Sequence, residues 1–195
     1  MLRFYLIVYN LICFLFWAGY LLSYFGNGMV LDTRGLILLN IAQGLAVLEI
    51  FHAIMKWVKS PVMSTVAQVS SRILVVILIN IFLSNELLFN QVSAGILTVS
   101  IAWGITELVR YSFYFLAQFK VQFSALVWMR YSFFLMLYPL GVTGEWVILS
   151  APAFANGFAI TAYNGFLIVA LLAYGYYFPV LFKYMLKQRK HKLKS

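Results

Sequence analysis

Arg130-Tyr131-Ser132-Phe133-Phe134-Leu135-Met136-Leu137-Tyr138-Pro139-Leu140-Gly141-Val142-Thr143-Gly144-Glu145-Trp146 is an apolar run of membrane type that carries a phenol, Tyr138, and a carboxylate, Glu145, seven residues apart. Seven residues is nearly two helical turns. A continuous helix therefore sets Tyr138 and Glu145 on one face, roughly 10 Å apart along the axis at about 1.5 Å rise per residue. That spacing holds a small reacting group between two proton-transfer side chains. Pro139 has no N–H for the carbonyl of Leu135, which predicts a kink beside Tyr138 and a freed backbone acceptor. Gly141 and Gly144 carry no side-chain bulk and predict room for a ligand between phenol and carboxylate. An ionisable residue at membrane depth is a functional candidate by default. The competing reading makes Tyr138 an interfacial anchor and Glu145 the end of a span. Composition and spacing leave both readings open.

Working outward, the chain has 195 residues, of which 64% are hydrophobic and 10% charged, with a mean hydropathy of +0.93. These values lie far outside the range of a soluble globular domain and predict an integral membrane protein. Apolar runs of about 20 residues between short polar breaks point to α-helical spans rather than the alternating strands of a barrel. The expected fold is all-α, a single domain over 1–195 built as a bundle of six transmembrane helices. The spans read as Phe4 to Phe25, Leu36 to Met55, Arg72 to Phe89, Ala94 to Leu116, Ala125 to Glu145 and Phe158 to Phe182. Asn85 and Glu86 interrupt the end of the third. The first run is too long and aromatic for a cleaved signal peptide and is read as a retained span.

An even number of spans puts both termini on one side. Arg3, Lys56, Lys59, Arg72, Arg110, Lys120, Arg130, Lys183, Lys187, Arg189, Lys190, Lys192 and Lys194 then share that side, and Arg34 stands alone on the other. By the positive-inside rule both termini face the cytosol. The net charge of +9 is thus a topology signal, and no nucleic-acid partner is expected. The basic tail, about 183–195, is read as an anchor against anionic headgroups. Its Lys192 and Lys194 fall out of register with dilysine retrieval signals. Cys13 is the single cysteine, so no intrachain disulfide or cysteine metal cage is expected. His52 and His191 are the only histidines, which sets aside a histidine metal site. No internal repeat suggests an inverted-repeat transporter.

Two pairs of polar residues fall within the spans. Glu49 and His52 are three apart, as are Glu107 and Arg110, so each pair is adjacent on a helix. The first reads as a proton relay or as a packing hydrogen bond, the second as a structural ion pair. Alternatively, Arg110 joins Lys120 and Arg130 in a cationic rim that docks a phosphate-bearing ligand, with Tyr111 and Tyr114 continuing the polar side. Gln68, Ser71 and Arg72 would add to that rim from the third span.

Ordered motifs run through nearly the whole chain: Tyr5-Leu6-Ile7-Val8-Tyr9-Asn10, Leu48-Glu49-Ile50-Phe51-His52, Val58-Lys59-Ser60-Pro61 and Gln68-Val69-Ser70-Ser71-Arg72. They continue with Trp103-Gly104-Ile105-Thr106-Glu107, Arg110-Tyr111-Ser112-Phe113-Tyr114, Arg130-Tyr131, Leu137-Tyr138-Pro139-Leu140-Gly141, Gly144-Glu145 and Gln188-Arg189. On these the sequence resembles the very-long-chain (3R)-3-hydroxyacyl-CoA dehydratases, once called protein tyrosine phosphatase-like proteins. The older label has no counterpart in the residues: six positions after Cys13 stands Gly19, so there is no Cys-x5-Arg loop.

The resemblance implies a multi-pass enzyme of the endoplasmic reticulum membrane, a hydro-lyase that converts a 3-hydroxyacyl-CoA to a trans-2-enoyl-CoA in the third step of fatty-acid elongation. It places the catalytic tyrosine and glutamate on Tyr138 and Glu145. Substrate-binding residues are expected at Arg110, Lys120, Arg130 and Tyr114, and partners among fatty-acid elongases and reductases. Glu145 is assigned as base at C2 and Tyr138 as donor at the C3 oxygen, with the reverse assignment open. The thioester stabilises the developing carbanion itself, so no cofactor is expected, and the chain has neither a glycine-rich phosphate loop nor a zinc signature. A catalytically silent scaffold of the elongation machinery and a small transporter are the competing classes.

Overall fold

The computed structural model describes residues 1–58, 60–83, 86–157 and 159–193. Lys59, Asn85, Phe158 and Lys194, which entered the reading above, lie outside the described residues. The described residues form α1 (Leu2–Gly26), α2 (Thr33–Ile54), α3 (Val62–Leu83), α4 (Glu86–Gln118), α5 (Ser124–Ser132), α6 (Phe134–Ala155) and α7 (Ala162–Lys192), with no strand among them. All but α5 are long and apolar enough to cross a membrane. A helix of 22 residues, as in α2, α3 and α6, is about 33 Å long, close to the hydrocarbon thickness of a bilayer.

The turns follow from local chemistry. Gly28 and Met29 close the end of α1 at φ +66° and 64°, where glycine carries no steric cost, and the Met29 N–H returns to the Tyr24 carbonyl at 2.9 Å. Asp32 caps α2 by accepting the Gly35 N–H at 2.8 Å, and Thr161 caps α7 by accepting the Asn164 N–H at 3.1 Å; both satisfy amides that a helix start leaves unpaired.

Several boundaries differ from the sequence reading. The third span, read as running to Phe89, ends at Leu83, and Glu86 to Phe89 belong to α4, which starts ahead of Ala94. Ser60-Pro61 breaks the chain after α2 and can open the next helix, since proline is tolerated in a first turn, and α3 does begin at Val62, ahead of the span read from Arg72. The Pro61 carbonyl accepts the Ser64 and Thr65 hydroxyls at 2.9 and 3.0 Å, so a polar first turn is helical too. Arg72 consequently lies inside α3, away from its end. The fifth span is also displaced: the amphipathic α5 ends at Ser132, Phe133 interrupts, and the long apolar helix is α6. Glu145 therefore sits near the middle of a helix, not at the end of one. Helical structure continues through Pro139, and the interruption lies upstream at Phe133.

α4 is the central element, packing against α1, α3, α5 and α6, while α2 packs on α1 and α3. The fully buried side chains of the core include Trp17 and Tyr20 of α1, Ile79 of α3, Ile96 of α4 and Ile148 of α6. Hydrogen bonds between helices add to the packing: Tyr20 Oη to Ser100 Oγ at 2.5 Å, and the reciprocal Asn40–Asn80 amide pair at 2.9 and 2.8 Å.

The glycines expected to leave ligand space do something else. A Cβ at Gly144 would lie 2.2 Å from Thr98 Oγ1 and 2.8 Å from the Gly95 carbonyl, and one at Gly141 would meet Ala102 Cβ at 3.4 Å. Both face α4. The missing side chains let two backbones approach, which is the common use of small residues between apolar helices, and α4 fills the volume.

Candidate active site

Five carboxylate side chains occur in the chain, and three of them, Glu49, Glu107 and Glu145, lie well inside long helices. Two are matched by cations. Glu107, 1% exposed, pairs with Arg72 across α3 and α4 and accepts from Arg110 Nε at 2.7 Å. Arg110 also grips Glu49 of α2 with both terminal nitrogens, at 2.6 and 2.7 Å, while the Tyr111 hydroxyl donates to the same carboxylate at 2.6 Å. Two guanidiniums against two carboxylates leave no net charge in this interior network, the condition for holding ions away from water. Glu49 is thus taken by Arg110, and His52 by a 2.8 Å hydrogen bond to the Tyr5 hydroxyl. In place of the Glu49–His52 hydrogen bond expected from their spacing, each residue bonds to another helix, Glu49 to α4 and His52 to α1.

Glu145 has no salt bridge among the described residues. It is 7% exposed, and two neutral donors hold it: Trp103 Nε1 of α4 reaches Oε1 at 3.1 Å, and the Tyr174 hydroxyl of α7 donates to Oε2. Trp103 also carries the Arg72 guanidinium 5.2 Å above its ring, a cation–π contact that joins Glu145's surroundings to the ionic network. Tyr138 is half-buried on the same helix. Its ring stacks on Phe178 at 4.9 Å between centroids and 10° between planes, and on Phe182 at 6.4 Å and 12°. The Tyr138 hydroxyl makes no hydrogen bond among the described residues. One oriented carboxylate and one uncommitted phenol thus share a helix face.

The expected rim residues are placed unequally. Arg110 and Arg130 line one cleft between α4, α5 and α6, together with Thr106, Val109, Met129, Phe133 and Phe134. Arg130 Nη2 donates to the Tyr114 hydroxyl at 2.8 Å, and its guanidinium lies over the rings of Tyr114 and Phe113 at 4.5 and 4.7 Å. No carboxylate pairs with it among the described residues. Lys120 is exposed on the turn after α4, at φ 59°, and does not line that cleft. Arg72 belongs to the interior pair with Glu107 rather than to the rim. The partners of Glu145 escaped the sequence reading. Trp103 stands one turn before Glu107 on the same face, a usable signal, whereas nothing in the spacing of α7 separates Tyr174 from Tyr163, Tyr176 or Tyr177.

Comparison with known proteins identifies the family. A family model described as protein tyrosine phosphatase-like protein, PTPLA, matches residues 43–195. The very-long-chain (3R)-3-hydroxyacyl-CoA dehydratase hpo-8 of Caenorhabditis elegans is 35% identical over 95% of this chain and 93% of its own. The very-long-chain (3R)-3-hydroxyacyl-CoA dehydratase PASTICCINO 2 of Arabidopsis thaliana is 34% identical over 98% and 93%. The very-long-chain (3R)-3-hydroxyacyl-CoA dehydratase 2 of Mus musculus is 32% identical over 97% and 80%. No solved structure matches the chain. The family model spans most of the chain and these relatives cover nearly all of it: the chain belongs to the protein tyrosine phosphatase-like family, PTPLA.

Proposed function

We propose that this protein is a very-long-chain (3R)-3-hydroxyacyl-CoA dehydratase, a hydro-lyase that forms the trans-2-enoyl-CoA of the fatty-acid elongation cycle. The observation that carries the reading is Glu145, a buried carboxylate without a cation, held by two neutral donors beside a phenol whose hydroxyl is uncommitted. Dehydration needs those two groups. Glu145 takes a proton from C2, which the thioester makes acidic, and the electron pair closes the C2–C3 double bond. The C3–O bond breaks as Tyr138 gives its proton to the departing oxygen, so water leaves. Return of the proton from Glu145 to the tyrosinate restores both groups.

The charged head of the substrate belongs at the cleft that holds Arg110 and Arg130. Arg130, steadied by Tyr114, is the stronger candidate for its phosphates because the charge of Arg110 is already balanced by Glu49 and Glu107. Lys120 contributes from the adjacent turn at longer range. Arg130 precedes the break at Phe133 and Tyr138 follows it, so the pantetheine arm passes from the cleft to Tyr138, and the acyl chain continues between helices beyond Glu145. We place the protein as a multi-pass component of the endoplasmic reticulum membrane with both termini cytosolic, working beside elongase and reductase partners.

The test is direct: protein purified in detergent is given 3-hydroxyacyl-CoA substrates of graded chain length, and enoyl-CoA is followed by chromatography. Turnover that depends on a long acyl chain is the expected result. Folded protein that binds these thioesters without forming enoyl-CoA at any length overturns the reading in favour of a silent scaffold.

A further inference from the structure

α7 is loosely held, with only Asn164 and Leu167 buried along its 31 residues. Its contacts with α6 nevertheless concentrate on one stripe. Tyr174, Phe178 and Phe182 are spaced four apart, one helical turn each. The first donates its hydroxyl proton to Glu145 Oε2, and the other two stack on the ring of Tyr138. A helix that otherwise lies at the edge of the bundle thus touches both groups assigned to the reaction.

The two donors on Glu145 are not equivalent. Trp103 comes from α4, fixed against α6 where Gly95 and Gly144 meet, and it holds Oε1. Tyr174 comes from the edge helix and alone holds Oε2 among the described residues. Each carboxylate oxygen has about two acceptor directions, so one on each remains open, and the Tyr174 bond decides where the open direction of Oε2 points.

We propose that Tyr174 is a positioning residue for the dehydration: its hydroxyl fixes the rotation of the Glu145 carboxylate so that an open lone pair meets the C2 proton. This rests on Glu145 being the base. Tyr174→Phe removes the hydroxyl and keeps the ring, including its edge contact with Trp146 at 6.4 Å. kcat is expected to fall about 10- to 100-fold, the scale of losing a hydrogen bond to a charged group at a reacting centre, with KM within about twofold of wild type. The isotope effect on kcat with C2-dideuterated substrate should rise, because proton abstraction becomes slower than the steps around it.

Tyr163→Phe is the control. It deletes the 2.5 Å bond from the Tyr163 hydroxyl to the Leu149 carbonyl, the other hydroxyl bond between α7 and α6, and should leave the isotope effect unchanged. Infrared difference spectra supply a readout independent of turnover. Tyr174→Phe should shift a carboxylate band in the wild-type background and shift none in a Glu145→Gln background. An unshifted band, a kcat within about twofold of wild type, or a fallen kcat with an unchanged isotope effect each overturns the proposal. Dehydratase activity in the wild type stands or falls separately, since it is read from wild-type turnover alone.

Discussion

Replacing Gly144 with alanine should loosen the protein and slow it at the same time. A methyl group there would sit 2.2 Å from Thr98 Oγ1, 2.8 Å from the Gly95 carbonyl oxygen and 2.9 Å from Val99 Cγ1. Thr98 can turn aside only by giving up its hydroxyl bonds to the Gly95 and Ala94 carbonyls, at 2.9 and 3.1 Å. The Gly95 carbonyl is backbone and cannot turn at all. Restoring ordinary contact therefore means moving α6 off α4 by roughly half an ångström, and overpacking of this kind costs about 1–3 kcal/mol. The thermal unfolding midpoint in detergent should fall by several degrees, at roughly 2–4 °C per kcal/mol for a chain of this size. Glu145 is the next residue, so the same movement draws its carboxylate away from Trp103 Nε1, now at 3.1 Å, and kcat should drop about tenfold. Adding Thr98→Ala removes the nearest clash but leaves the Gly95 carbonyl, so it should recover part of the stability. Gly144→Ala with wild-type stability and turnover would refute the close α4–α6 approach and the site built on it.

Two further predictions concern charge. Glu107→Ala leaves Arg72 and Arg110 facing one another with Glu49 as the sole remaining carboxylate of the network. The cost is about 3–5 kcal/mol, read as loss of monodisperse protein in size-exclusion chromatography, while Glu107→Gln, which keeps some hydrogen bonds, should be milder. Arg130→Ala should raise KM for acyl-CoA about tenfold and weaken the salt dependence of binding, with a smaller effect on kcat. Lys120→Ala should do the same more weakly, and an unchanged KM in both would remove the head-group assignment.

Composition made six long helices legible, because apolar runs of bilayer length have few other uses. Helix ends were less so. Hydropathy marks where a helix is greasy, not where it starts, and so it leaves the polar first turns of α3 to the Ser60-Pro61 signal and does not show the separation of α5 from α6. The shared face of Tyr138 and Glu145 followed from their spacing, whereas the groups around Glu145 did not: Trp103 is 42 residues away and Tyr174 is 29. Arg72 was misplaced for the same reason, its partner Glu107 lying 35 residues off. Gly144 shows the limit most plainly. An absent side chain reads equally as space for a ligand or as space for another helix, and only the neighbour at Gly95 decides.

The proposed pairing of Glu145 and Tyr138 sets both groups to work on adjacent carbons of the substrate. It is tested most directly by measuring enoyl-CoA formation from a long-chain 3-hydroxyacyl-CoA by wild type, Glu145→Gln and Tyr138→Phe, each verified as folded. Robust wild-type turnover is expected, with a loss of about a thousandfold or more in each variant and the double variant little worse than either single, as for groups that act as a unit. Appreciable turnover by folded Tyr138→Phe beside a dead Glu145→Gln would contradict it.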